Sequence, residues 1–270
     1  MIGLVLGETK IGKLIVKKLR FLKIKYTIID ISKKKLFNKD KNSFSLSIGQ
    51  LGKAISILKE KNCKKIIFAG KVSRPILSKT KFDLKALYYL PKIIKGFKKG
   101  DSYIINDIIK IFNKEKLKVI SQAFYNSELL LKKGIHTKSK PNTNNKKDIS
   151  IGKNIIKSLT RNNVGQAVVV RSGKIIAIED EKGTDSMLNR AYKIIKRNSY
   201  KNKRKGILLK FPKANQDLRV DLPTVGFKTL QKCKNIGLKG VVIKADQNIF
   251  LDKQKSVSLA NSNKMFIIAI

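Results

Sequence analysis

The spacing of apolar positions changes character several times along the chain. Ile2–Leu6 is a short, almost wholly apolar run, the pattern of a strand covered on both faces. Gly7–Gly12 follows as a glycine-bounded turn, and Ile15, Leu19 and Leu22 then recur at helical spacing. Ile24–Asp30 reads as a second strand. Leu51, Ile55 and Leu58 place a helix within Gly49–Asn62, and Lys65–Ala69 is a third strand. Ile104, Ile105, Ile108, Ile109 and Phe112 mark a helix after Asp101, with a strand at Leu117–Gln122. Strand and helix in alternation predict a parallel sheet with helices on its faces.

The pattern breaks at His136–Ser150, which is polar, contains Pro141 and has no apolar period, so it reads as a linker. Beyond it the spacing predicts a helix near Ile151–Leu159 and a hairpin, Gln166–Arg171 and Lys174–Glu179, turned at Ser172-Gly173. A helix from Thr184 follows, then short strands near Gly206–Lys210, Gly240–Lys244 and Asn248–Leu251. The expected architecture is α/β in two domains: a Rossmann-like βαβ domain with a parallel sheet over residues 1–135, a linker over 136–150, and a smaller α/β domain over 151–270.

Composition narrows the function classes. Sixty-one basic residues against 18 acidic ones give a net charge of +43, which invites a nucleic-acid reading. Only eight of the 61 are arginine, Trp is absent, and the seven tyrosines form no stacking stripe. Lys, Ile and Asn share A/T-rich codons, so lysine spread over every segment reads first as compositional drift on solvated faces. No specific nucleic acid is therefore expected, although a general pull toward polyanions remains. No apolar run is long enough for a membrane span, and the start, MIGLVLGETK, lacks the features of a secretion signal. Cys63 and Cys233 are too far apart in sequence for a disulfide framework and too few for a zinc site. A reducing cytoplasm is the default compartment.

Gly7-Glu8-Thr9-Lys10-Ile11-Gly12-Lys13 fits most of a phosphate-binding loop, but Leu14 stands where a magnesium-binding hydroxyl belongs. A tight turn that needs glycine for its backbone explains the segment better. Acidic residues are scarce enough for their grouping to be informative. Asp217 and Asp221 flank Arg219, and an extended segment there would put all three side chains on one side. Two carboxylates can share a magnesium ion and an arginine can fork onto a phosphate, while a surface ion pair explains the group equally well. A second acidic group, Glu179-Asp180-Glu181, precedes Gly183-Thr184-Asp185, where Thr184 or Asp185 suits a helix cap. The single histidine, His136, rules out a His-based triad.

Six segments in collinear order then carry a resemblance: Gly49-Gln50-Leu51-Gly52-Lys53; Phe68-Ala69-Gly70-Lys71-Val72-Ser73-Arg74-Pro75; Lys99-Gly100-Asp101; Gly165-Gln166-Ala167-Val168-Val169-Val170; Gly183-Thr184-Asp185-Ser186-Met187-Leu188; and Gln216-Asp217-Leu218-Arg219-Val220-Asp221-Leu222-Pro223. Together they resemble the LpxI-type UDP-2,3-diacylglucosamine pyrophosphatases of lipid A synthesis. The resemblance implies a cytoplasmic enzyme peripheral to the inner membrane, with its substrate between two domains and the C-terminal domain catalytic. It implies hydrolysis of UDP-2,3-diacylglucosamine to UMP and 2,3-diacylglucosamine 1-phosphate (lipid X), with magnesium or manganese as cofactor. An anionic inner-membrane surface and a second copy of the chain are the other expected partners.

Carried onto this sequence, the resemblance makes Asp221, Asp217 and Arg219 catalytic, and Asp221, Asp185, Glu179 and Asp101 metal ligands. Lys213, Gln216, Lys71, Arg74, Thr184 and Gly70 would meet the substrate. Lys182 departs from the family's usual Glu, which leaves open a catalytically weak nucleotide-sugar or lipid-binding relative, beside a basic nucleic-acid-binding protein.

Overall fold

The computed structural model describes residues 1–72, 80–99, 101–161, 164–197, 204–214 and 216–270. They fall into two compact units, Met1–Ser127 with Asp217–Asp221, and Glu128–Gln216 with Leu222–Ile270.

The first unit is a five-stranded parallel sheet. Its strands are β1 (Ile2–Leu6), β2 (Tyr26–Asp30), β3 (Ser43–Ser45), β4 (Lys65–Ala69) and β5 (Lys118–Val119), in the order β3-β2-β1-β4-β5. Every residue of β1 and β2 is buried, which is why neither shows apolar alternation. Helices α1 (Lys10–Phe21), α2 (Leu51–Glu60), α3 (Leu84–Lys99) and α4 (Asp101–Lys114) join the strands. Ile55 and Leu58 of α2, Ile109 and Phe112 of α4, and Val5, Ile29 and Ile66 of the sheet share one core cluster. Val220 packs against that cluster, and the Gln122 amide donates to the Arg219 carbonyl at 2.9 Å, so the 217–221 segment is a structural part of this unit.

This strand order is that of doubly wound nucleotide-binding sheets, and it reverses between β1 and β4. At that point backbone meets backbone. The Gly7 amide donates to Ala69 and the Glu8 amide to Lys71, at 2.9 and 2.8 Å. A Cβ on Gly7 would lie 2.4 Å from the Lys71 carbonyl oxygen, and Gly70 has φ +96 against Gly7. Gly12 lies in α1 with Phe37 where its Cβ would point. Tight packing therefore accounts for both glycines of the turn, as the backbone argument expects. Asp30 is spent locally, accepting from Ser32 N, Ser32 Oγ and Phe37 N at 2.9, 2.6 and 2.9 Å.

The second unit carries a six-stranded mixed sheet. Its members, in sheet order, are β6 (Gly134–Ile135), β13 (Phe266–Ala269), β11 (Gly240–Ile243), β9 (Ile207–Lys210), β7 (Ala167–Arg171) and β8 (Lys174–Ile178). β13, β11 and β9 run parallel, while β6, β7 and β8 pair antiparallel to their neighbours. β10 (Thr224–Gly226) and β12 (Ile249–Leu251) form a separate parallel pair. The helices are α5 (Thr143–Arg161), α6 (Gly183–Arg197), α7 (Phe227–Ile236) and α8 (Lys253–Ser262). Met187 and Leu188 of α6, Leu230 and Cys233 of α7, Ala260 of α8 and the sheet residues Val169, Leu208 and Val241 share its core.

Residues 136–150 are built into this unit. The His136 amide donates to Ile267 at 2.9 Å, and α5 begins at Thr143. Asn142 and Asn145 bond each other's backbone amides at that helix start. The Asp148 carboxylate accepts from the Ser172 and Gly173 amides at 3.2 and 2.7 Å, which ties α5 to the hairpin turn. The division between the two compact units falls after Ser127, ahead of this polar stretch. Among the described residues no helix is long and apolar enough to cross a membrane.

Candidate active site

The expected site residues divide between the units. Asp217, Arg219, Asp221, Lys71 and Gly70 belong to the first, and Glu179, Thr184, Asp185, Lys213 and Gln216 to the second. Asp101 opens α4 in the first unit, its side chain lying outside what the structure describes, and Arg74 lies outside the described residues.

The 217–221 segment is a turn and not the extended piece that alternation suggests. The Val220 and Asp221 amides both donate to the Asp217 carbonyl, at 3.1 and 3.0 Å. The physical cause is the Asp217 carboxylate, which accepts the Arg219 amide at 2.9 Å and so bends the chain two residues on. Arg219 is nonetheless brought to Asp217, by the turn: Nε donates to Oδ1 at 3.0 Å and Nη2 to Oδ2 at 2.6 Å. The guanidinium's hydrogen bonds hold the Asp217 carboxyl below the ordinary carboxylate range, against the opposing effect of burial. Both oxygens of Asp217 are thus engaged by Arg219, and Asp221 is the segment's other carboxylate.

In the second unit, strand direction assembles a polar chain at one end of strands β9, β7 and β8. Lys210 ends β9, Gln166 precedes its antiparallel partner β7, and Glu179 follows β8. Lys210 Nζ donates to Thr184 Oγ1 at 2.7 Å, and Thr184 Oγ1 donates to Glu179 Oε1 at 2.7 Å. The Gln166 amide donates to Glu179 Oε2 at 3.2 Å. Glu179 is 5% exposed and Lys210 8%, so each charge needs the other's chain to offset its desolvation. Thr184 stands in the first turn of α6, where backbone amides point outward. Gln166 Oε1 is buried without a hydrogen-bond partner among the described residues. Below this chain, Asn248 accepts the Lys244 amide and donates to the Lys210 carbonyl, at 3.0 and 3.1 Å, fixing the ends of β9 and β11.

The other acids face elsewhere. Asp185 pairs with Lys232 at 2.9 Å and Asp180 with Arg190 at 2.8 Å. Lys182 and Glu181 are exposed, and the Lys182 amide bonds Asp180. Gln216 Oε1 accepts the Lys213 amide at 2.9 Å, closing the loop after β9. Lys71 is exposed, its carbonyl bonded to Glu8.

Sequence reasoning missed Lys210 as a member of this polar chain, because one lysine among so many carries no signal. Its place at the end of an apolar strand, just before Phe211-Pro212, was the available clue.

Among the described residues no three His, Cys, Asp or Glu side chains converge on one point. A divalent ion such as magnesium would have to take one or two carboxylates here and complete its shell with phosphate oxygens and water. Chemically, the buried lysine, the threonine hydroxyl and the α6 amides suit an anion of the phosphate type.

Two family descriptions match nearly end to end: an LpxI N-terminal domain over residues 1–129 and an LpxI C-terminal domain over residues 132–268. The chain is also 30% identical over 226 residues to the UDP-2,3-diacylglucosamine pyrophosphatase LpxI of Caulobacter vibrioides, covering 83% of this chain and 81% of that protein.

Proposed function

The chain belongs to the LpxI family, and from that premise we propose that it hydrolyses the pyrophosphate bond of UDP-2,3-diacylglucosamine in lipid A synthesis. The observation that carries the reading is that the matched stretches contain both the Asp217–Asp221 turn and the Lys210–Thr184–Glu179 chain. The products are UMP and 2,3-diacylglucosamine 1-phosphate. Water attacks the sugar-side phosphorus, a P–O bond forms to it, and the bridging P–O bond breaks with its electron pair leaving on UMP.

In this reading Asp221 orients the attacking water and accepts its proton. Asp217 is a positioning residue that holds Arg219, whose guanidinium offsets charge on the diphosphate. Taken by itself, the second unit offers Lys210 and Thr184 to a phosphate-type oxygen and Gln166 Oε1 to a donor. Magnesium or manganese would be held by Asp221, and when bound supplies neutralisation of the diphosphate charge. Asp185 and Glu179 would first have to release Lys232 and Thr184. The two acyl chains of the substrate place the working enzyme at the inner face of a membrane, as a peripheral protein.

The test is turnover of UDP-2,3-diacylglucosamine by purified protein in oxygen-18 water, with magnesium and with EDTA. Label in the lipid phosphate, lost with EDTA, is the expected result. Label in UMP overturns the attack site, and absence of turnover beside an active relative overturns the activity. Asp221→Asn is expected to lower kcat by about 10² or more while leaving the circular dichroism spectrum intact.

A further inference from the structure

Helix α3 turns apolar residues the wrong way for a helix that meets only water. Its inward side, with Ala86 and Gly96 buried, packs in the unit, Gly96 against Ile104 of α4. The outward stripe runs Leu84, Leu87, Tyr88, Pro91 and Lys95, at steps that keep one face of a helix, with Ile94 on its margin. Leu84 is 87% exposed, Tyr88 75% and Leu87 48%.

Among the described residues, the acids nearest the stripe are already engaged. Asp107 is paired to Lys92 at 3.2 Å, and Glu115 is held by Lys59 and Lys85. The Asp83 carboxylate accepts the Lys53 and Ala86 amides at 3.0 and 2.8 Å. Lys81 and Lys95 are exposed and have no ion pair among the described residues. Among the described residues, Asp83, Asp107 and Glu115 are thus engaged by amides or lysines, while Lys81 and Lys95 stand beside the exposed apolar groups without an ion pair.

We propose that this stripe of α3 is the surface by which the protein docks on an anionic lipid bilayer, an inference that rests on the reading of its substrate as a membrane lipid. Leucines and Tyr88 enter the boundary between headgroups and acyl chains, and the lysines reach back to lipid phosphates. A second protein fits less well. The stripe is about 16 Å long and about 10 Å wide, far short of the roughly 800 Å² per partner of a stable protein interface.

Full-length protein is sedimented with vesicles of phosphatidylcholine and phosphatidylglycerol in equal parts, and with phosphatidylcholine alone. Binding to the anionic vesicles only, weakened by salt, is expected. Leu84→Ser with Tyr88→Ser should weaken it about tenfold or more, and Lys81→Glu with Lys95→Glu should also weaken it. Absence of wild-type binding, or equal binding by the serine variant, overturns the proposal. So does a wild-type dimer that the serine variant converts to monomer while vesicle binding persists. Hydrolysis of detergent-dispersed substrate by the wild-type protein tests the functional reading separately, because it needs no bilayer.

Discussion

Protonating Asp217 would break its pair with Arg219, and this gives the turn a pH dependence with a definite sign. Its folded pKa is lowered by the Arg219 hydrogen bonds. The pair's stabilisation is therefore complete above the ordinary carboxylate range, about pH 4, and is lost as pH falls through the lowered value. Asp217→Asn is expected to cost about 1 kcal/mol at neutral pH, Arg219 being nearly half exposed. Thermal melts taken from neutral pH down to about pH 3 should then show a flatter acid limb in the variant. The two thiols make a second residue-scale prediction. Burial pushes Cys233 up to about 12 and raises Cys63 as well. Iodoacetamide should label neither in the folded protein and both after denaturation, and labelling of Cys233 in the native state would refute its burial. Scarcity made Asp217 and Asp221 visible in the sequence. The turn between them was not visible, because a carboxylate that captures its own backbone looks, as text, like one in an extended segment.

At the scale of elements, the hairpin of β7 and β8 was legible because Ser172-Gly173 suits the two positive φ angles the turn has, 51 and 78. The helices α1, α2 and α4 were legible from isoleucine and leucine spacing. α3 was not, since its apolar residues lie on both sides and blur any period. α5 starts eight residues earlier than spacing predicts, because its first turns are polar and are held by asparagine and aspartate contacts. The approach to β7 also holds a close backbone contact next to the candidate site. A Cβ on Gly165 would sit 2.1 Å from the Glu179 carbonyl oxygen, so Gly165→Ala must push β8's end away. The expected cost is about 1–3 kcal/mol, with a fall in turnover as Glu179 leaves Thr184. Urea denaturation and the phosphate-release assay read the two effects separately.

For the whole molecule, the backbone passes between the units three times, after Ser127, after Gln216 and after Asp221. Alternation of strand and helix showed two α/β regions, but no sequence period could show that five residues from the later region complete the earlier one. A fragment ending at Ser127 lacks Val220 and the Arg219 carbonyl that holds the Gln122 amide. It should unfold at lower urea than the first unit of the full chain, and hydrogen exchange at Gln122 should lose its protection.

The late return of residues 217–221 also sets a timetable for biosynthesis. A nascent chain with its first 127 residues outside the ribosome still lacks the piece that covers part of its core. At about 5–20 residues per second, the ribosome needs on the order of 5–20 s more to supply it. During that interval the apolar patch that Val220 will cover is open to chaperones and to other nascent chains. A cell that makes this protein quickly gains more from holdase capacity than its modest length suggests.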